Sequence, residues 1–271
     1  MNRFFSKKIF RIAKIILILY VAGGVTLYFI QDKLLFHPQS LAADYAYQFN
    51  VAFTQIDLDV SKEKNLSIVK FDAPDSTCRG VVLYFHGNMK NINRYARFAG
   101  NFTKQGYEVW MMDYPGFGKS TGKRTEQIIY NDALQLYKMA RSRFSPDSII
   151  IYGKSIGTGV ASQLASIRDC KRLILETPFY SIDALAKHYF PIYPVTPMTK
   201  YAFPTYQYFE KITAPVTIFH GTNDEVIPFR QSLQLLKVKQ NAELISIEKG
   251  KHNNLDGFLL FHHKLDSLLQ L

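Results

Sequence analysis

The feature that most constrains the fold of this chain is the stretch at residues 149–160, which reads Ile-Ile-Ile-Tyr-Gly-Lys-Ser-Ile-Gly-Thr-Gly-Val. An apolar run of strand type leads into Gly-Lys-Ser-Ile-Gly, and small and apolar residues with helical spacing follow at once. A G-x-S-x-G pattern between a strand and a helix puts a serine on a turn so sharp that its hydroxyl projects alone above a sheet edge. The flanking positions must carry no bulk. Ser155 is therefore a candidate nucleophile, provided that other residues support it.

Buried strands alternate with amphipathic helices along most of the chain. Four apolar runs are typical of strands buried on both faces of a parallel sheet, at residues 80–85, 107–112, 148–152 and 172–176. Helical spacing predicts helices at residues 92–105, 125–144, 232–239 and 255–269. Further strands are predicted at residues 53–60, 66–71, 216–220 and 243–247, the first two as an antiparallel edge. This alternation predicts an α/β fold with a mostly parallel sheet and helices on both faces.

Length and composition favour one large domain. The chain has 271 residues and is 47% hydrophobic, which is enough for a sizeable core. The net charge is +11, but part of it belongs to an N-terminal arm with no acidic residue before Asp32, which carries Arg3, Lys7, Lys8, Arg11 and Lys14. The other basic residues do not cluster with aromatic ones, so we expect a solvated surface and no nucleic-acid partner.

The N-terminal segment predicts a membrane anchor. Residues 15–30 carry no charge, and the apolar character extends back to Ile12, toward the ~20 residues that cross a bilayer. A cleaved signal peptide shares the basic start and apolar centre, but no good A-x-A site closes the segment. We expect an uncleaved anchor at residues 1–31 and a connector at residues 32–52. The positive-inside rule then places the N-terminus in the cytoplasm and the body of the protein on the extracytoplasmic side.

Two smaller features accompany this prediction. The connector carries Leu34-Leu35-Phe36-His37-Pro38, whose apolar residues either lie against the membrane or pack on the domain. Cys78 and Cys170 are the two cysteines, and neither has a second ligand at metal-binding spacing. We expect free thiols and no metal or organic cofactor.

A nucleophilic serine needs a histidine to take its proton and a carboxylate to orient that histidine. In folds of this kind the order is serine, acid, histidine, each following a different strand. Asp224 follows the predicted strand at residues 216–220, and His252 follows the last one. Glu225 is the alternative acid, but we prefer Asp224 because the loop returns through Val226 and Pro228 as though holding the preceding carboxylate in place.

The oxyanion of the tetrahedral intermediate needs two N–H donors, normally one after the nucleophile and one after the third strand. Ile156 supplies the first. Asn88, in the His-Gly-Asn-Met turn, supplies the second, with Met89 as the alternative. Met89 and Tyr114 are also candidates to contact the substrate.

These motifs resemble the α/β-hydrolase superfamily from about residue 53 to the C-terminus. H-G-N-M, D-Y-P-G-F-G-K-S, G-K-S-I-G-T-G and G-T-N-D-E-V-I-P, with the loop histidine and the anchor followed by L-L-F-H-P, are similar to its membrane-anchored branch. That branch includes α/β-hydrolase-domain depalmitoylases and Bem-type hydrolases, near the serine aminopeptidase group. The resemblance implies eight strands in the order 1-2-4-3-5-6-7-8 and hydrolysis through an acyl-enzyme. In that order the strands after Cys78 and Cys170 lie ~10 Å apart, too far for a disulfide.

The resemblance also implies a small cap over the site, formed by residues 177–211 within a domain at residues 53–271. This segment is rich in proline and aromatic residues, including Phe179 and Tyr180, which either line an apolar acyl pocket or pack the cap on the sheet. With the anchor, it indicates ester or thioester substrates that carry an apolar acyl chain, either small molecules or lipid-like ones. A peptidase is the alternative, with only Asp183 and Glu210 as acids in the cap, and a non-catalytic binding scaffold is a third reading.

Overall fold

The computed structural model describes residues 2–74 and 78–270, with side chains from Lys7 onward. Met1, residues 75–77, Leu271 and the side chain of Arg3, one of the predicted cytoplasmic charges, lie outside the described residues. The chain begins with one long helix, α1, at Asn2–Leu35.

An eight-stranded sheet forms the centre of the molecule. Its strands are β1 (Phe53–Ser61), β2 (Lys64–Phe71), β3 (Gly80–Phe85), β4 (Tyr107–Met112), β5 (Ile149–Lys154), β6 (Arg172–Glu176), β7 (Val216–Gly221) and β8 (Glu243–Ile247). They lie in the order β1-β2-β4-β3-β5-β6-β7-β8. β2 pairs antiparallel with both β1 and β4, and the other neighbouring strands of this sheet pair in parallel. The implied order and the mostly parallel sheet are confirmed, so the carboxyl ends of seven strands meet at one edge.

Helices cover both faces of the sheet. They are α2 (Ile92–Tyr95), α3 (Gly100–Thr103), α4 (Glu126–Arg141), α5 (Gly157–Ala165), α6 (Ile182–Tyr189), α7 (Thr205–Phe209), α8 (Arg230–Val238) and α9 (Leu259–Gln270). The predicted helix at residues 92–105 is instead two short helices joined by a tighter 3₁₀ turn at Ala96–Phe98. Its apolar spacing still holds, because Tyr95, Ala99 and Phe102 all face the core.

Successive side chains of a strand point to opposite faces of the sheet, so alternate residues pack in two separate cores. Leu83 and Phe85 of β3 pack in the core that α4 and α5 cover. Val82 and Tyr84 of the same strand pack in the core on the opposite face, which α2, α3 and α9 cover. Continuous apolar runs were a reliable indicator here because these strands are buried on both faces.

The connector packs on the domain, which is the second of the two alternatives that the sequence left open. Phe36 is buried in the core and makes an edge contact with Tyr201 of the cap at 5.1 Å between ring centroids. His37–Pro38 pairs in parallel with Met89–Lys90 beside the main sheet. The carboxyl end of α1 is therefore fixed to the turn that follows β3.

The cap consists of α6, α7 and the segment between them. We call residues 190–199 the cap loop; it contains a 3₁₀ turn at Thr196–Met198. Both cysteines are free thiols, with Cys78 exposed and Cys170 buried.

Candidate active site

The strand β5 ends in a sharp turn that isolates Ser155. Ser155 has φ 53°, in the left-handed region that non-glycine residues rarely adopt. Its N–H donates to the carbonyl oxygen of Glu176 at 2.9 Å, which ties the turn to the end of β6. A Cβ on Gly157 would lie 2.1 Å from the carbonyl oxygen of Phe85. The helix after the serine can therefore lie this close to β3 only because residue 157 is glycine. The glycine of the motif thus serves close packing.

Ser155, His252 and Asp224 form a continuous line of hydrogen bonds. The Oγ atom of Ser155 lies 2.9 Å from Nε2 of His252. Nδ1 of His252 lies 2.8 Å from Oδ2 of Asp224. All three residues are buried and come from the loops after β5, β7 and β8, at the carboxyl edge of the sheet.

The partners of His252 fix the positions of its protons. A carboxylate only accepts hydrogen bonds, so Nδ1 of His252 carries a proton and donates to Asp224. In a neutral imidazole the other nitrogen then accepts, so Nε2 takes a hydrogen bond from the hydroxyl of Ser155. This is the arrangement in which a histidine can remove the serine proton.

Asp224 is held by four donors. Its Oδ1 accepts from the N–H groups of Val226 and Ile227, both at 2.8 Å, and its Oδ2 lies 3.2 Å from Nε2 of His220 as well as near His252. Burial acts to raise the pKa of Asp224, but the hydrogen bonds from His220, His252 and Ile227 outweigh it and hold the pKa of Asp224 below its ordinary value. The carboxylate is therefore ionised.

Glu225, the alternative acid, is exposed. Its neighbour Val226 forms part of the loop that holds the Asp224 carboxylate, as expected from the sequence. The structure thus brings Asp224, and not Glu225, to His252.

The two expected oxyanion donors belong to residues that lie at the same cavity as Ser155. Ile156 and Asn88 both line the cavity that contains Ser155. Neither backbone N–H group donates to a backbone or side-chain acceptor within the described chain. The N–H of Met89, the alternative donor, is directed at the hydroxyl oxygen of Tyr95 at 3.4 Å.

Asn88 also connects this turn to α1. Its side-chain amide donates to the carbonyl oxygen of Leu35 at 2.8 Å, and its own carbonyl accepts from His37 N–H at 2.8 Å. The amide thereby satisfies one of the carbonyls that the end of a helix leaves without a partner. Because the side chain is engaged with α1, the backbone N–H is the group of Asn88 that remains for an oxyanion.

A cavity of about 330 Å³ opens above Ser155. Its volume lies near the lower end of the ~300–1,000 Å³ typical of ligand pockets. Phe179, one of the predicted substrate contacts, lines it, together with apolar residues of α6 and the cap loop. None of its lining residues within the described chain is charged.

Three other predicted contacts lie outside the lining of this cavity: Met89, Tyr114 and Tyr180. Met89 projects into solvent from the short pairing with the connector. Tyr114 is buried behind the site, where its hydroxyl donates to the carbonyl of His86 at 2.8 Å. Tyr180 stacks on Tyr206 with 4.5 Å between ring centroids. These side chains lie near the motifs in sequence, but packing turns them away from the cavity.

Three groups at the site were missed from the sequence. Lys154 and Glu176 form a buried ion pair directly beneath Ser155, and Tyr152 donates to the same carboxylate at 2.6 Å. The signal available in the sequence was Lys154, a charged residue at the end of the otherwise apolar strand β5. The second group is His220, at the end of β7, whose Nε2 contacts Asp224. This nitrogen donates, because it also faces the carbonyl oxygen of Ile227 at 2.9 Å.

The third group that sequence reasoning missed is the face of α1 that lines the cavity, formed by Leu27, Tyr28, Gln31, Leu34 and Leu35.

No cluster of three His, Cys, Asp or Glu side chains suited to a metal occurs among residues 2–74 and 78–270.

A family model described as serine aminopeptidase, S33, matches residues 76–208. The chain is 33% identical over 195 residues to alpha/beta hydrolase domain-containing protein 17C of Xenopus tropicalis, covering 70% of this chain and 62% of that protein. It is 34% identical over 193 residues to protein 17B of Homo sapiens, covering 70% of this chain and 65% of that protein. The matches thus span less than two thirds of the length of these relatives.

Solved structures share the fold at low sequence identity. The Pyrococcus furiosus esterase Pf2001 superposes with a TM-score of 0.64 at 19% identity, covering 86% of this chain and 98% of that one. Est1E from Butyrivibrio proteoclasticus, solved with ferulic acid, superposes with a TM-score of 0.66 at 19% identity, covering 80% of this chain and 98% of that one. In both cases nearly the whole of the solved chain matches the described fold.

Proposed function

This chain belongs to the α/β-hydrolase superfamily, near the serine aminopeptidase group, and from that premise we propose that it is a serine hydrolase that cleaves carboxylic esters or thioesters through an acyl-enzyme. The observation that carries the proposal is the line of hydrogen bonds from Ser155 through His252 to Asp224, beside an apolar cavity. The esterases among the structural relatives support the same class of reaction.

In the proposed reaction, Oγ of Ser155 attacks the acyl carbonyl carbon while Nε2 of His252 takes the hydroxyl proton. The carbon–oxygen or carbon–sulfur bond of the substrate then breaks, and His252 returns the proton to the departing alcohol or thiol. Water attacks the acyl-enzyme by the same route and releases the carboxylic acid and free Ser155. Asp224 stabilises the positively charged His252 in both steps.

The oxyanion that forms on the carbonyl oxygen is negatively charged in an apolar cavity, so it needs donors in place beforehand. We assign this role to the backbone N–H groups of Ile156 and Asn88. Loss of a single donor of this kind typically costs about 10²–10³-fold in kcat.

The composition of the cavity favours an apolar acyl group. A peptide substrate with a free α-amine would need a carboxylate nearby, and none lines the described cavity. Asp183, one of two acids in the cap, accepts a hydrogen bond from Thr199, and Glu210, the other, is exposed. The aminopeptidase alternative therefore lacks a group to recognise its substrate.

The N-terminal helix supports an anchor in the membrane. The segment Lys7–Leu35 is long and apolar enough to span a bilayer. Its side chains are mostly unpacked, with Phe10 73% and Phe29 69% exposed, as expected of a surface that faces lipid. We propose an anchor at residues 1–31 that continues as helix into the connector at residues 32–52, a catalytic domain at residues 53–271, and an extracytoplasmic location for that domain.

A fluorophosphonate probe, which phosphonylates activated serines with loss of fluoride, tests the assignment of Ser155. We expect the full-length protein to be labelled, and the Ser155→Ala and His252→Ala variants not to be. His263→Ala is the matched control, because His263 is exposed on α9. Absence of labelling in the wild type, or persistence of labelling in Ser155→Ala, contradicts the proposal.

A series of acyl esters tests the substrate class. We expect kcat/KM to be higher for medium-chain than for short-chain p-nitrophenyl esters, because each CH₂ that enters the apolar cavity contributes about 0.8 kcal/mol. Equal values across the series contradict an apolar acyl substrate.

A further inference from the structure

The helix that is long enough to span a bilayer is also a wall of the candidate active site. Leu27, Tyr28, Gln31, Leu34 and Leu35 of α1 line one side of the cavity, and the cap lines the other. Ser155 and Asn88 lie at the same cavity. The apolar surface of α1 therefore leads directly to the nucleophile.

The contact between α1 and the cap extends along α1 beyond the residues of the helix that line the cavity. The ring of Tyr193, in the cap loop, stacks on Tyr20 with 4.8 Å between centroids. Each tyrosine also donates to the other segment: Tyr20 to the carbonyl of Ile192 at 3.0 Å, and Tyr193 to that of Tyr20 at 3.2 Å. With a rise of 1.5 Å per residue, Tyr20 lies about 22 Å along α1 from Leu35. The cap loop thus runs beside the apolar part of the helix.

Glycines on α1 make room for this contact. A Cβ on Gly23 would lie 2.4 Å from the hydroxyl oxygen of Tyr193, and one on Gly24 would lie 3.2 Å from its ring. Small residues let packed segments approach closely within a membrane. The pair Gly23 and Gly24 therefore serves the docking of the cap loop.

The cap loop has the composition of a segment immersed in hydrocarbon. It reads Phe-Pro-Ile-Tyr-Pro-Val-Thr-Pro-Met-Thr, without a charge, and Ile192 is 70% exposed. Backbone groups without a partner are costly in lipid. Its three prolines have no N–H to satisfy. The carbonyls of Ile192 and Met198 accept from Tyr20 and from the amide of Gln31, the latter at 2.7 Å.

We propose, on the basis of the proposed function, that the substrate is an ester or thioester whose acyl chain lies in the bilayer, and that the chain reaches Ser155 laterally between α1 and the cap loop. A chain that came through water would expose its CH₂ groups at about 0.8 kcal/mol each, on the order of 10 kcal/mol for a sixteen-carbon chain. The lateral path avoids that cost, because the chain passes from hydrocarbon directly into an apolar cavity.

The first test compares two substrates with the full-length protein in phosphatidylcholine nanodiscs. p-Nitrophenyl palmitate resides in the bilayer, and p-nitrophenyl acetate arrives from water. We expect Leu27→Trp, which narrows the path beside the cap, to lower the palmitate-to-acetate ratio of kcat/KM at least tenfold. Leu19→Trp is the matched control on α1, because Leu19 is 66% exposed and does not line the cavity. An unchanged ratio in Leu27→Trp, or an equal fall in Leu19→Trp, overturns the lateral path.

The second test does not depend on hydrolysis. Ile192→Trp in nanodiscs of chain-brominated phosphatidylcholine should be quenched at least twice as strongly as Ile167→Trp, with the native Trp110 as a common background. Ile167 follows α5 at the opposite edge of the sheet and is 43% exposed. Equal quenching overturns the lateral path. Strong quenching of Ile192→Trp in a protein that hydrolyses neither ester contradicts the proposed function and leaves the cap loop in the bilayer.

Discussion

At the residue scale, the candidate site combines a strained serine, the candidate nucleophile, with a carboxylate that several donors hold. The left-handed conformation of Ser155 costs about 1–3 kcal/mol, so the surrounding structure must hold it in place. The hydrogen bond from its N–H to Glu176 and the ion pair of Glu176 with Lys154 provide that support. Asp224 is supported by His220, which donates to the same Oδ2 atom that faces His252.

The first prediction separates the two candidate acids. Asp224→Asn should lower kcat by about 10³–10⁴-fold, because an amide in place of the carboxylate no longer holds His252 in the required tautomer. Glu225→Gln should stay within about twofold of the wild type, since Glu225 is exposed. Hydrolysis of p-nitrophenyl acetate measures both. A larger loss in Glu225→Gln contradicts the assignment of the acid.

The second prediction concerns pH. The pKa of Asp224 in the folded protein lies below its ordinary value, which is ~3.9 in an unfolded chain. The stabilisation by this carboxylate is therefore fully present above pH ~4 and is lost as the pH falls toward the folded pKa. We expect the free energy of unfolding of the wild type to fall relative to that of Asp224→Asn as the pH is lowered over that range. Urea titrations between pH 6 and pH 3 measure it, and a pH-independent difference contradicts the shifted pKa.

At the element scale, the junction of β5 and α5 sets the position of Ser155, the candidate nucleophile. The helix begins at Gly157, directly against the end of β3, where a side chain has no space. The motif in the sequence predicted this junction because its spacing reflects local backbone geometry. The same reasoning failed for the predicted helix at residues 92–105, where a 3₁₀ turn preserves the buried face but interrupts the helix.

The third prediction tests this junction with two glycines. Gly157→Ala should destabilise the protein by about 1–3 kcal/mol or more, because its Cβ would meet backbone atoms of Phe85 and His86 that cannot move aside. Gly100→Ala should instead stabilise it by about 0.4–1 kcal/mol, since Gly100 lies in α3 with no atom within 4 Å of an added Cβ. Thermal unfolding in detergent measures both, and a loss of equal size in the two variants contradicts the packing argument.

At the scale of the whole molecule, the sequence predicted what depends on local pattern. The strands Gly80–Phe85, Tyr107–Met112 and Arg172–Glu176 have the predicted bounds, because burial on both faces makes them continuously apolar. The contact of Tyr20 with Tyr193 spans 173 residues and follows no local pattern, so the role of α1 as a cavity wall could not be predicted. The orientation of Tyr114 could not be predicted either, because its hydroxyl is held away from the cavity by a tertiary contact with the carbonyl of His86.

The last prediction concerns the side of the membrane on which the domain lies. A maleimide that cannot cross membranes reacts with exposed thiolates. Cys78 is exposed, whereas burial raises the pKa of Cys170 to about 12 and keeps it unreactive. We therefore expect the reagent to label Cys78 on intact cells that express the protein, and Cys78→Ser to remove the label. Ser6→Cys in the Cys78→Ser background should be labelled only after permeabilisation, because the positive charges near it favour the cytoplasm. Labelling of the two positions in the reverse pattern contradicts an extracytoplasmic domain.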